Sequence, residues 1–101
     1  MAASKKKPSK KTVRPGKDIS EAMAEDLQKK ILGILKQDVK NLVIDLKGVE
    51  RIDPVGIGIF VAAHNSLNQS DGKMNIINAS DNINNLFQMM GLDRHLEVNA
   101  A

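Results

Sequence analysis

Residues 41–60 read NLVIDLKGVERIDPVGIGIF. The run opens on Asn41–Leu46, a short apolar stretch rich in branched residues that reads as a buried strand, with Asp45 its one charge. It closes on Asp53-Pro54, which starts a helix. Asp53 is a good N-cap, and Pro54 suits the first helical position because the N–H it lacks would have no partner there. The helix is expected over 54–69 and is apolar nearly all round, through Val55, Ile57, Ile59, Phe60, Val61, Ala62 and Ala63, so it belongs in a core. Gly56 and Gly58 stand in its first turns, where each costs about 0.5–1 kcal/mol relative to Ala. Two compatible reasons offset that cost: close helix–strand packing, or close approach of a partner's backbone.

Outward from this run the pattern alternates. Ser20 caps a helix expected over 21–36, whose apolar face carries Met23, Leu27, Ile31, Ile34 and Leu35. Glu21, Glu25 and Asp26 lie toward its start and Lys29, Lys30 and Lys36 toward its end, the polarity that suits the helix dipole. After the second helix, Ser70–Lys73 is a turn and residues 74–78 a strand. Ser80 caps a third helix over about 81–90, with Ile83, Leu86, Phe87 and Met90 on one face and Gly91 to end it. HLEV, 95–98, adds a short last strand. In front of the first helix, residues 12–19 hold a short extended piece, at most an edge strand because of Pro15. Strands joined by helices of this length favour right-handed crossovers and a parallel central pair. The fold class is α/β.

The chain has 101 residues, enough for one domain. It has no cysteine, which excludes a disulfide framework and a thiolate metal site, and only two histidines, His64 and His95. There is no Trp or Tyr and only two Phe, so stacking platforms for single-stranded nucleic acid are not available. No apolar run approaches the roughly 20 residues of a membrane span, and the N-terminus lacks an apolar leader segment. A cytoplasmic protein is expected.

The formal charge of +3 hides an asymmetry. Residues 1–17 hold seven basic residues and no acid, while residues 18–101 set eight basic residues against twelve acidic ones. The protein is an acidic body with a basic arm. Residues 1–11 are polar and like-charged, and cannot bury enough apolar surface to offset their ordering entropy, so a disordered tail is expected there and a single domain over 12–101. The tail is a solvated arm, or else an adaptor for nucleic acid or an anionic membrane surface.

The segments NLVIDLKGVERIDPVGIGIFVAAHNSL, MNIINAS and LFQMMGLDRHLEV, in that order and spacing, resemble the STAS family, the domains of anti-sigma factor antagonists. The resemblance covers residues 12–99 and is nearest to the stand-alone bacterial versions. It implies a mixed sheet with helices packed on one face. It implies a non-catalytic regulatory protein-binding module without a cofactor, whose partner is an anti-sigma factor or a kinase-like protein of the GHKL type. It places partner binding on Asp53, Pro54, Val55, Gly56, Ile57 and Gly58 and the helix that follows. In the family the partner kinase phosphorylates a Ser or Thr directly after the turn's Asp, and a phosphate adds about −1.5 to −2 charges there. Here that position is Pro54 and the next is Val55, so the usual acceptor hydroxyl is absent. Members usually begin with a two-stranded unit before the first helix, which is shortened here to the few residues of 12–19. The exposed sheet edge that results invites pairing, including self-association.

Other residues carry weaker expectations. Asp53 is an N-cap first and a partner contact second. Asp45 is placed to pair with a cation near the sheet end. Nucleotide binding is disfavoured, because GIG is not a full phosphate-cradling motif and Asp53 already occupies the helix N-terminus. His64 is expected to be polar surface or half-buried, and His95, near Asp93 and Arg94, to cap or bridge the C-terminal region. Ser66, Ser70 and Ser80 are the alternative phosphorylation sites, Ser80 being first a cap. Met89 and Met90 are core filling, or else line an adaptable binding groove. No nucleophile, base and orienting group assemble from spacing, so an enzyme is not expected.

Overall fold

The structure is a computed structural model that describes residues 10–92 and the backbone of Glu97–Ala100. Seven elements follow in the order β1 (Lys10–Val13), α1 (Glu21–Leu35), β2 (Asn41–Asp45), α2 (Pro54–Gln69), β3 (Lys73–Ala79), α3 (Asp81–Met89) and β4 (Glu97–Ala100). The four strands form one sheet in their chain order. Each adjacent pair is parallel. Successive crossovers of one hand along such a sheet put every connecting helix on the same face.

The strands show this division. Leu42, Ile44, Met74 and Ile76 belong to the core cluster together with Leu27, Ile31, Phe60, Leu67 and Phe87 from the three helices. Between them along β2 and β3, Val43, Asn75 and Ile77 point to the opposite face, where Asn75 and Ile77 are half-buried. The expected α/β architecture with helices on one face is what the chain adopts. The antiparallel part of a mixed sheet is not present among the described residues, because one strand, β1, stands before α1 and it pairs with β2 in parallel.

Each helix begins where a short polar side chain can accept from its first turn. Ser20 Oγ accepts from the Met23 N–H at 3.2 Å, and Ser80 Oγ from the Ile83 N–H at 3.2 Å. Asp53 accepts from the Val55 N–H at 2.9 Å. The three helices and the two central strands lie within a residue or two of their sequence boundaries, while the first strand is Lys10–Val13 and not the extended piece expected over 12–19. β1 begins at Lys10, inside the segment expected as tail, and residues 1–9 of that tail lie outside the described residues. β4 begins at Glu97, so the first half of the expected HLEV strand, His95 included, also lies outside them.

Two expectations change. α2 is not enclosed on all sides. Its apolar stripe rests on the sheet and on α1, while Val55, Gly58 and Ala62 look outward. Met89 and Met90 do not fill the core, for Met89 is 84% exposed and Met90 51%. α3 is short, and its core-facing side is made by buried Ile83 and Phe87 with half-buried Leu86 packed beside them.

Candidate functional site

The C-terminal ends of parallel strands are where open α/β sheets gather their functional loops. Here the loop from Leu46 to Asp53 leaves β2 and delivers the start of α2. It is braced at four points. The Asp18 carboxylate accepts the backbone N–H groups of Glu50 and Arg51 at 2.7 and 3.1 Å. Ile19 forms a parallel bridge with Ile52, its N–H donating to the Arg51 carbonyl at 2.9 Å and its carbonyl accepting from the Asp53 N–H at 2.8 Å. Gly48, at φ +86°, lies so close to the preceding loop that an added Cβ would sit 2.9 Å from the Gly16 carbonyl oxygen.

The fourth brace is Asp45, the one buried charged residue among those described, at 4% exposure. Its Oδ2 accepts from Arg14 Nε at 2.9 Å, and its Oδ1 from Asn78 Nδ2 at 2.9 Å and from the Lys47 N–H at 3.0 Å. The chain segments that end β1, β2 and β3 are thus tied to one carboxylate. The hydrogen bond from Asn78, then that from Lys47 N–H, then Arg14 hold the Asp45 pKa at about 2, against the opposing effect of burial. Asn78 reaches Asp45 from a left-handed conformation, φ 59°. It stands where the β3–β4 register shifts between Ile76 and Ala79. Asn tolerates that conformation better than most residues.

The expected site residues separate into two groups. Gly56 and Ile57 are core. A Cβ on Gly56 would meet methyl carbons of Ile19 and Ile52 at 3.0 Å, and Ile57 is 4% exposed. Pro54, Val55 and Gly58 are surface, Val55 at 46% exposure, and a Cβ on Gly58 would meet nothing within 4 Å. The two glycines therefore divide the two roles open to them. Gly56 serves packing, and Gly58 leaves bare backbone on the outer side. Asp53 is half-buried and occupied by its cap bond. A shallow recess beside the loop is lined by Lys47, Gly48, Glu50, Asn78 and Ser80.

The expected pairing of Asp45 with a cation is present, and the cation is Arg14. Sequence reading passed over Arg14, Asp18 and Asn78. The signal for Asn78 was an Asn at a strand end, a residue depleted in strands and tolerant of left-handed backbone. His64 is half-buried on α2, and Ser70 Oγ donates to the Ser66 carbonyl. Among the described residues no group of three His, Cys, Asp or Glu side chains comes together that could hold a metal ion, and no helix is long and apolar enough to cross a membrane. What the start of α2 offers outward is apolar and small, beside the exposed side chains of Lys47, Glu50 and Arg51 on a loop whose backbone N–H groups are engaged within the fold.

The STAS domain family model matches residues 2–101. The chain belongs to the STAS domain family. It is 28% identical over 87 residues to the anti-sigma-B factor antagonist of Staphylococcus aureus (strain NCTC 8325 / PS 47), covering 86% of this chain and 81% of that one. The corresponding protein of Staphylococcus epidermidis is 26% identical over the same span. Among solved structures, a putative anti-sigma factor antagonist from Thermotoga maritima superposes with a TM-score of 0.86 at 19% identity, covering 92% of this chain and 80% of that one. The anti-sigma factor antagonist SpoIIAA in its unphosphorylated form gives 0.79 at 17% identity, covering 96% and 84%. These two likenesses establish that this STAS domain shares their fold.

Proposed function

We propose that this STAS domain is a non-catalytic regulatory module that docks an anti-sigma factor or a kinase-like protein of the GHKL type. The contact surface is Pro54, Val55 and Gly58 on the braced start of α2. Asp53 shapes this surface as the cap, and Gly56 and Ile57 support it from beneath. The observation that carries the reading is the outward stripe Val55–Gly58–Ala62, apolar or bare, at helical spacing and continuous with exposed Pro54. The relatives named anti-sigma-B factor antagonist support the class of partner. With Pro54 and Val55 where the family's hydroxyl would stand, docking is constitutive with respect to phosphorylation at this turn.

The test is affinity capture with the intact chain, Gly58→Asp and Val55→Asp, with bound proteins identified by mass spectrometry. Capture of a GHKL-type kinase or an anti-sigma factor by the first, lost from both variants while their circular dichroism is unchanged, supports the reading. Undiminished capture by both variants overturns it.

A further inference from the structure

We propose that the outer edge of β1, with the groove between that strand and α1, is a second docking site that takes an extended acidic–apolar segment of a partner protein as an added strand. The site is separate from the start of α2 and does not depend on the function proposed above.

Among the described residues β1 has one sheet neighbour, β2, so its other side presents backbone donors and acceptors with no strand beside them. Such an edge is a template for strand addition. The groove next to it has the shape and lining that an added strand needs. Val13, Met23 and Leu27 give it apolar walls, while Arg14, Lys17 and Lys30 stand around it with Asp26 the one acid. A strand laid outside β1 extends the sheet under the flank of α1. Alternate side chains of that strand then fall on the core-facing side, against Met23 and Leu27. The others fall on the opposite face, beside Lys10 and Thr12. Lys11, in the same row as Val13, lies on the core-facing side. Cations therefore border both faces of the position an added strand would take.

Charge selects the occupant. A second copy paired edge to edge would bring Lys10 and Lys11 of one chain against those of the other, and like charges opposed across strands are destabilising. The chain's own Lys5, Lys6 and Lys7 meet the same objection. An acidic segment with apolar residues at alternate positions meets none of it. It gains cross-strand opposite-charge pairs and places its apolar residues on the groove walls.

The experiment is fluorescence anisotropy of the full chain with a labelled peptide of alternating Val and Glu. Controls are a Val–Lys peptide and a Val–Glu peptide N-methylated at alternate residues, which keeps charge and loses strand hydrogen bonding. Saturable binding of the first is expected, at least about tenfold tighter than either control, a difference of about 1.4 kcal/mol. The double variant Lys10→Glu/Lys11→Glu, which reverses the cations on both faces of β1, should weaken it by a similar factor, and Gly58→Asp should leave it unchanged. Equal binding of the N-methylated peptide overturns strand addition. Equal binding of the Val–Lys peptide, or indifference to the double variant, overturns charge selection. A concentration-dependent dimer in sedimentation that competes with the peptide identifies a second copy as occupant and overturns the proposal as well.

Discussion

Arg14 Nε and Asp45 Oδ2 meet at 2.9 Å across thirty-one residues of sequence, and the two ends of this ion pair are not equivalent. The Arg14 side chain is 65% exposed and that of Asp45 only 6%. Removing Arg14 leaves the carboxylate its bonds from Asn78 and Lys47. Arg14→Ala should therefore cost about 1 kcal/mol, the net worth of one hydrogen bond. Removing Asp45 deprives three donors at once and unties β1 from β3. Asp45→Ala should cost about 2–3 kcal/mol. Urea unfolding monitored by circular dichroism measures both, and equal losses would contradict the asymmetry.

The same carboxylate gives stability a pH dependence. Hydrogen bonds from Asn78 and the Lys47 N–H, with Arg14, lower its pKa from the ordinary 3.8 to about 2 in the folded state. A group whose folded pKa lies below its unfolded one contributes stability that is complete above the unfolded value and lost as pH falls through the folded value. The advantage of the parent chain over Asp45→Asn should be constant from neutral pH down to about 4–5 and shrink as pH falls toward 2. Asn78→Ala removes the largest cause of the lowered pKa, so its Asp45 should titrate closer to 3.8. NMR titration of the Asp45 side-chain carbon reads this directly.

Two glycines two residues apart should respond oppositely to the same change. Gly58→Ala adds a methyl group in open space, so it keeps the full helix-propensity gain and should stabilise the domain by about 0.5–1 kcal/mol. Gly56→Ala places its methyl 3.0 Å from carbons of both Ile19 and Ile52. That crowding in a packed core offsets the gain, and the variant should be less stable than Gly58→Ala by about 1 kcal/mol or more. Thermal unfolding of the two variants side by side tests the order. A Gly56→Ala variant as stable as Gly58→Ala would contradict the packing role.

Much of the fold was legible in the chain because its punctuation is local. Ser20, Asp53-Pro54 and Ser80 mark helix starts through bonds that span two or three residues, and the apolar periods between them name the elements. The turn at 53–58 stands out because two glycines follow Asp53-Pro54, and its reading as a contact surface comes from the STAS resemblance. Its division into core and surface was less so, although positions 56 and 58 lie roughly 200° apart around a helix and must face different surroundings. What escaped was carried by tertiary contact. Arg14 and Asn78 reach Asp45 across thirty-one and thirty-three residues, and Asp18 reaches Glu50 and Arg51 across a similar span. No periodicity records such bonds. Met89 and Met90 were open to two readings because an amphipathic pattern does not say how far toward its end a helix stays packed.

Gly48 is where the loop's brace is most sensitive to a single atom. Its φ of +86° is a conformation that L side chains rarely adopt, and a Cβ there would also press on the Gly16 carbonyl at 2.9 Å. Gly48→Ala should destabilise by about 1–3 kcal/mol. Because the contact holds the 46–53 loop against the loop before α1, amide exchange should quicken at Glu50, Arg51 and Asp53 ahead of the core of β2. Uniform quickening along β2 and α2 would show instead that the loop does not open separately.

Pro54 separates the proposed docking surface from the stability of the helix that carries it. It occupies the first helical position, where a missing N–H costs nothing and a negative charge is favoured by the helix dipole. Pro54→Glu should therefore leave unfolding within about 0.5 kcal/mol of the parent. A charge at the exposed tip, beside apolar Val55 and bare Gly58, would be buried against any partner that docks there. Binding of a GHKL-type kinase or anti-sigma partner should weaken by about tenfold or more, a difference of about 1.4 kcal/mol. Pro54→Ala, which adds no charge, should bind within about threefold of the parent, a change of about 0.7 kcal/mol. Calorimetry on the two variants reads the contrast. Weakening of both to the same degree would point to the shape of the proline ring, and weakening of neither would remove the tip of the turn from the contact surface.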